Sequence, residues 1–242
     1  LRVVLEKLHS LYGIELETSS PKIAYKETIT TTAEGHCRHK KQTGGAGQFG
    51  EVHLRVRPLP PDHASGFEFI NATIGGSIPR QFMPAIEKGV RQVLEEGAVA
   101  GYPITGVAVE VFDGKYHAVD SKEIAFVTAG RKAFLEAVRG ASPVLLEPFV
   151  EVDITIPQAY MGDVTGDLAV RRGRVQDTQV VRDTCRIRAT APLAELQAYA
   201  AQLRSLTAGA GYFSLQFSHD EPAPPAIQQA EIAAFKHHDH ED

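Results

Sequence analysis

The order in which the hydrophobic period changes between Val150 and Phe217 restricts the fold more than any other feature of the chain. Val150 to Ile156 alternates as a strand, since side chains along a strand point to opposite faces in turn. Met161, Val164 and Leu168 then recur at helical spacing, with Gly173 read as the stop. Arg174 to Val181 returns to strand, Arg182-Asp183 reads as a turn, and Thr184 to Thr190 is the next strand. Leu193, Leu196, Tyr199, Ala200 and Leu203 mark a second helix, and Tyr212 to Phe217 a last strand. The order βαββαβ is that of the ferredoxin-like plait, whose right-handed crossovers put both helices on one side of an antiparallel sheet.

A chain of 242 residues exceeds one ordinary domain, so a second unit is expected upstream. Its strands are read at Glu51 to Arg57, with Val52, Leu54 and Val56 on one face, at Phe67 to Ala72, and at Thr105 to Phe112. Pro84 to Glu96 carries Ile86, Val90, Val93 and Leu94 on one helical face, and Gly97 ends it. Asp113-Gly114 reads as a hairpin turn. A second helix is expected from Ser121 to Arg139, with Asp120 and Glu123 spaced as a capping box and an apolar stripe of Ile124, Val127, Leu135 and Val138.

Both ends look like pieces of something larger. Leu1, Val4, Leu5 and Leu8 predict a helix stopped at Gly13, and Ile14, Leu16 and Thr18 a strand, with Ser19-Ser20-Pro21 as linker. One helix and one strand close no core. With no initiator Met, the opening reads as the edge of a domain continued upstream. After Glu221-Pro222-Ala223-Pro224-Pro225 a short helix runs through Ile227, Ile232 and Phe235, and the ending from His237 to Asp242 reads as a frayed acidic tail rather than a metal site.

Composition excludes several classes. Hydrophobic residues at 43% and charged residues at 23% fit globular cores. No apolar run reaches the roughly 18 residues a membrane helix needs, and no signal peptide is recognisable, so a cytoplasmic protein without membrane contact is expected. Cys37 and Cys185 are read as reduced thiols. A net charge of -5 opposes binding of DNA or RNA by bulk charge and directs attention to local clusters. No G-x-x-x-x-G-K-[ST] is present, so no phosphate loop for a nucleoside triphosphate is expected.

Gly45-Ala46-Gly47-Gln48-Phe49-Gly50 fits G-x-G-x-x-G, but a basic polar stretch precedes it and a strand follows, the reverse of a dinucleotide fold. It reads instead as a hairpin tip. The preceding stretch, His36-Cys37-Arg38-His39-Lys40-Lys41-Gln42-Thr43, holds cations and no acid and reads as a loop that sets charge against RNA phosphates. His36, Cys37 and His39 lack a nearby fourth ligand, so no metal site is expected. His117 falls on a loop before a helix. With Asp120 and Ser121 it makes no defined hydrolytic triad, and an exposed ring that stacks or hydrogen-bonds to RNA is the easier role. Arg171, Arg172 and Arg174 complement a helix C-terminus or contact phosphates, and both readings stay open.

Taken in order, the residues resemble the C-terminal part of bacterial elongation factor G. The resemblance is carried by His39 to Gly50, Gly101-Tyr102-Pro103, Asp113 to Ser121, Leu146-Glu147-Pro148, Tyr160 to Asp167, Arg171-Arg172-Gly173-Arg174, and Leu203-Arg204-Ser205 with Thr207, Gly209 and Gly211. It implies an α+β chain: residues 1–20 ending a third domain, 21–146 a fourth domain like the second domain of ribosomal protein S5 with a left-handed crossover, 147–228 the ferredoxin-like fifth, and 229–242 a C-terminal helix and tail. The helix is expected to pack on the fourth domain. The family's translocase role implies that Lys40, Lys41, Gln42, Thr43, Gly44, Gly45, Gly47, Gln48, His117, Asp120 and Lys122 form a tip entering the decoding region beside the tRNA–mRNA duplex. Arg171, Arg172, Arg174, Arg204 and Ser205 would face the large subunit of the ribosome. No catalysis and no cofactor belong to this piece; GTP and magnesium would belong to the parent GTPase. Lys122, the His219-Asp220 pair and the tail after Phe235 depart from the family's pattern and imply a divergent copy, with ribosome recycling or ribosomal protection as alternative roles. The rival of another class is a free-standing enzyme using His117 or the glycine loop.

Overall fold

The computed structural model describes residues 2–15, 21–42, 47–60 and 63–235. The expected strand through Leu16 and Thr18, the glycine loop at Thr43, Gly44, Gly45 and Ala46, and the tail from His237 lie outside the described residues. Two compact units form, one from residues 1–23 and 151–216, the other from residues 24–150 and 217–242.

Helix α1 (Arg2–Tyr12) ends where Gly13 takes a φ of 64° and donates its N–H to the His9 carbonyl. A left-handed C-terminal cap of this kind is what glycine permits without steric cost.

The larger unit begins with β1 (Lys26–Ile29), β2 (Ala33–Lys41), β3 (Gln48–Pro58) and β4 (Phe67–Asn71), followed by α2 (Met83–Glu96), β5 (Val107–Lys115) and α3 (Glu123–Gly140). Its sheet has the order β2-β3-β5-β4, antiparallel except for β4 and β5, which are parallel and joined through α2. Alternation explains the core: Val52, Leu54 and Val56 and then Val107, Val109 and Val111 turn to one side and are fully buried. The basic stretch read as a loop is instead β2, because each of its residues from Ala33 to Lys41 pairs with β3. Its polar alternation leaves one face solvated, which conceals a strand from a search for apolar residues.

Three local expectations are corrected. Asp113-Gly114 lies inside β5, opposite His53 and Val52, with a register shift that leaves Phe112 unpaired. A Cβ on Gly114 would fall 2.2 Å from the Glu51 carbonyl oxygen, so close strand approach accounts for the glycine. The capping box does not form: Lys122 occupies the N-cap without a side-chain cap. Of the stripe read on α3, Val138 is fully buried and Val127 and Leu135 pack half-buried against the core, but Ile124 is 53% exposed, and Ala125, Ala129, Ala133 and Ala137 are fully buried with Phe126 and Phe134. Small residues face inward because backbones meet there. A Cβ on Gly35 of β2 would lie 2.0 Å from the Ala133 carbonyl oxygen, and one on Gly89 of α2 2.1 Å from that of Val127.

The rest of the chain comprises β6 (Pro143–Pro157), α4 (Met161–Val170), β7 (Arg174–Val181), β8 (Thr184–Pro192), α5 (Tyr199–Leu206), β9 (Tyr212–Pro222) and α6 (Pro225–Ala234). Strand order β9-β6-β8-β7 with α4 and α5 between them is the expected βαββαβ plait. Its core gathers Val152, Ile154, Ile156, Val164, Leu168, Ile187, Tyr199 and Leu203. Leu193–Leu196 forms a separate 3-10 turn before α5, and Ala200 is exposed instead of lining the helix. The stop of α4 is also not Gly173: Arg172 holds the left-handed φ of 58°, and Gly173 donates to the Leu168 carbonyl at 2.7 Å. The glycine is still required there, because a Cβ on it would meet that same oxygen at 2.7 Å.

The last segment joins the larger unit. Lys26 pairs with Asp220 at 2.7 Å, the Leu145 N–H donates to the Gln228 side chain at 3.2 Å, and the Tyr102 hydroxyl donates to Glu231 at 2.6 Å. Burial, with Glu231 beside it, pushes the Tyr102 phenol far up. In the same unit the fully buried Glu27 accepts hydrogen bonds from the N–H groups of Ala98, Val99, Ala100 and Tyr102, closing the turn after α2.

Candidate nucleic-acid interface

Strand period two puts Arg38 and Lys40 of β2 on the solvated face of the sheet together with Phe49 of β3. The Arg38 guanidinium lies 5.4 Å from the centre of the Phe49 ring. Past β5, the turn from Tyr116 to Lys122 folds onto the end of the β2–β3 hairpin. The Phe49 N–H donates to the Asp120 carbonyl at 2.9 Å, and the Ser121 hydroxyl donates to the Phe49 carbonyl at 2.9 Å while accepting the His117 N–H at 2.8 Å. The His117 ring stands edge-on to Phe49 at 6.4 Å. Gly47 admits this approach, since a Cβ there would come within 2.9 Å of the Asp120 carboxylate.

His117 Nδ1 accepts the N–H groups of Val119 and Asp120 at 3.4 and 3.3 Å. An acceptor nitrogen carries no proton, so this arrangement selects the tautomer with a proton on Nε2, and the ring offers a donor to solvent. Asp120 Oδ2 at 3.3 Å from Nδ1 becomes an ion-pair partner when the ring is charged.

A cleft of about 640 Å³ results, lined by Arg38, Lys40, Lys41, Gln42, Gly47, Gln48, Phe49, Lys115, His117 and Asp120 among others. Of the tip residues read from the sequence, Lys40, Lys41, Gln42, Gly47, Gln48, His117 and Asp120 are thus brought together. Thr43, Gly44 and Gly45 lie outside the described residues, and Lys122 borders a different groove with Pro84 and Ile124. Phe49 and Lys115 were missed as cleft residues. Alternation on β3 was the available signal for Phe49, whereas Lys115 needs the pairing of β3 with β5, which places it opposite Glu51. Burial alone would raise the Glu51 carboxyl, but the His36 hydrogen bond with the Lys115 and Arg38 charges outweighs it and holds the group below the usual carboxylate range.

In the plait unit the arginine corner is largely paired. Arg171 Nε donates to Asp167 at 2.8 Å and its Nη1 to the Glu195 carbonyl at 2.8 Å, and Arg172 pairs with Glu195 at 3.1 Å. These contacts favour the helix-terminus role for both. Tyr199, packed beneath Arg171, has its phenol pushed up to about 12 by burial and by Asp167. Arg174, Arg204 and Ser205 are exposed, the last two in the final turn of α5.

The geometry defines a two-unit α+β protein with a cation-lined cleft at a hairpin end. Residues 21–142 match the family model for elongation factor G, domain IV, and residues 144–231 that for the elongation factor G C-terminus. The chain belongs to the elongation factor G family, matching its domain IV and then its C-terminus in chain order. It is 44% identical over 230 residues to an elongation factor G-like protein of Thermotoga maritima, covering 95% of this chain and 33% of that protein. To elongation factor G 2 of Vibrio cholerae it is 43% identical, with 98% and 34% covered. A crystal structure of a Thermus thermophilus protein superposes with a TM-score of 0.84 at 40% identity, covering 96% of this chain and 34% of that one. The chain therefore spans about a third of the length of the curated relatives it matches.

Proposed function

We propose that this chain is the ribosome-contacting part of a cytoplasmic elongation factor G-like GTPase, with residues 21–146 as its fourth domain and 147–228 as its fifth. The hairpin end enters the decoding region and bears on the tRNA–mRNA duplex, while Arg174, Arg204 and Ser205 contact ribosomal RNA of the large subunit. The observation that carries this reading is the locked apposition of the His117 turn and the β2–β3 hairpin around a cation-lined cleft. Phosphates suit its lysines, and the Nε2–H of His117 and the Phe49 ring suit bases or riboses. GTP and magnesium belong to the remainder of the parent protein, and these residues act by position, not by bond-making. Within the described residues no helix is long and apolar enough to cross a membrane.

The test is a full-length parent factor carrying His117→Ala, followed through one round of tRNA–mRNA movement on purified ribosomes. A slowed single-turnover rate with ribosome affinity little changed is expected, because other contacts anchor the factor. An unchanged rate in a folded variant refutes the role of His117. Loss of subunit splitting in place of movement assigns the same tip to recycling.

A further inference from the structure

On the solvated face of β2 and β3, His36 lies directly across from His53, and Glu51 precedes His53 by two residues, so period two turns all three side chains to one side. His36 Nε2 is 3.0 Å and His53 Nε2 3.6 Å from the same oxygen, Glu51 Oε1. The two imidazoles stack at 4.0 Å with 22° between their planes, so both present a nitrogen to that point. The Glu51 side chain is only 9% exposed, and among the described residues its second oxygen is buried without a hydrogen-bond partner, the Arg38 guanidinium standing 3.9 Å away. A buried carboxylate oxygen left in this way lacks the partner such groups normally have.

We propose that His36, Glu51 and His53 bind one divalent first-row transition-metal ion, Zn²⁺ being the best match. A tetrahedral ion held by nitrogen and oxygen at about 2.0 to 2.2 Å separates its ligand atoms by roughly 3.4 Å. The three ligand atoms here already lie within 4.8 Å of one another. Two imidazoles and one carboxylate are a donor set for zinc, with a fourth position left for water or a substrate oxygen. The exposures of His36 and His53, 45% and 33%, leave both rings room to adjust. The cations Arg38 and Lys115 near Glu51 oppose a further positive charge and set an affinity below that of a structural zinc site. The trio weighed and set aside in the sequence, His36, Cys37 and His39, is a different one: Cys37 turns to the core face of β2, and His39 contacts Gln48. The ion would staple β2 to β3 below the hairpin end.

Cobalt(II) tests the site, because its visible bands report imidazole and carboxylate ligation. The chain is prepared with the tail histidines His237, His238 and His240 replaced by Ser, so that they do not compete. One equivalent of Co²⁺ should bind and be displaced by Zn²⁺. His36→Asn, His53→Asn and Glu51→Gln should each weaken binding by tenfold or more, while His39→Asn leaves it unchanged. Zn²⁺ should also raise the thermal midpoint of the parent chain but not that of His53→Asn. Absence of Co²⁺ bands at millimolar metal, or affinity unaltered in the folded His36→Asn and His53→Asn variants, overturns the proposal. No ribosome enters the assay, so its outcome is separate from that of the His117 experiment.

Discussion

Glu27 shows how a single residue can organise a region that no local pattern reveals. It sits in β1 in a stretch with ordinary strand polarity, yet is fully buried, with its carboxylate receiving backbone N–H groups from residues more than seventy positions away. A buried charge is tolerated only when its hydrogen bonds are met, and here the N–H groups of the turn after Gly97, which holds a φ of 83°, meet them. Glu27→Ala should therefore destabilise the larger unit by about 3 kcal/mol or more, since it orphans buried donors as well as removing an anion. Urea denaturation checks this. A loss below about 1 kcal/mol would mean that water replaces the carboxylate.

At the scale of elements, close approach decides more than side-chain size. The stripe Ile124, Val127, Leu135 and Val138 does not register where backbones meet: Gly35 lets β2 reach the α3 backbone at Ala133 and Ala137, and Gly89 lets α2 reach it at Val127 and Arg131. A pattern of bulky residues cannot register a contact made by their absence. Gly89→Ala separates the two effects. Helix propensity alone predicts a gain of about 1 kcal/mol, yet the new methyl would lie 2.1 Å from the Val127 carbonyl oxygen. Separating two packed helices should outweigh that gain and leave a net loss of about 1 to 3 kcal/mol. A raised unfolding midpoint in urea would show that the helices part without cost. The same reasoning accounts for Asp113-Gly114, whose turn-like dipeptide is held extended in β5 because Glu51 needs a neighbour without a side chain.

Across the whole molecule the net charge of -5 says little about where cations gather. Pairing β3 with β2 and β5 collects Arg38, Lys40, Lys41 and Lys115 around one cleft, whereas Arg171 and Arg172 are held by Asp167 and Glu195. If the cleft lysines meet phosphates, binding of the full-length factor to ribosomes should lose about 0.7 to 0.9 of salt slope for each contact removed. The double replacement Lys40→Ala and Lys41→Ala should then flatten a plot of log affinity against log salt by roughly 1.5. Arg171→Ala should leave the slope nearly unchanged and act on stability instead. Equal slopes in the lysine variant and the parent would remove the cleft lysines from the interface.

The sequence alone determined the βαββαβ order, the cores of β3 and α2, and the set of motifs that marks the family, because each rests on local periodicity or on ordered residue identity. It also marked Lys40, Lys41 and His117 as candidates. Only tertiary structure decided that the basic stretch is a strand, that Phe49 and Lys115 complete the cleft, and that His36, Glu51 and His53 converge. Each of these depends on cross-strand register or on contacts between distant segments, and such pairings are selected by the burial of the opposite face, which polar residues do not announce.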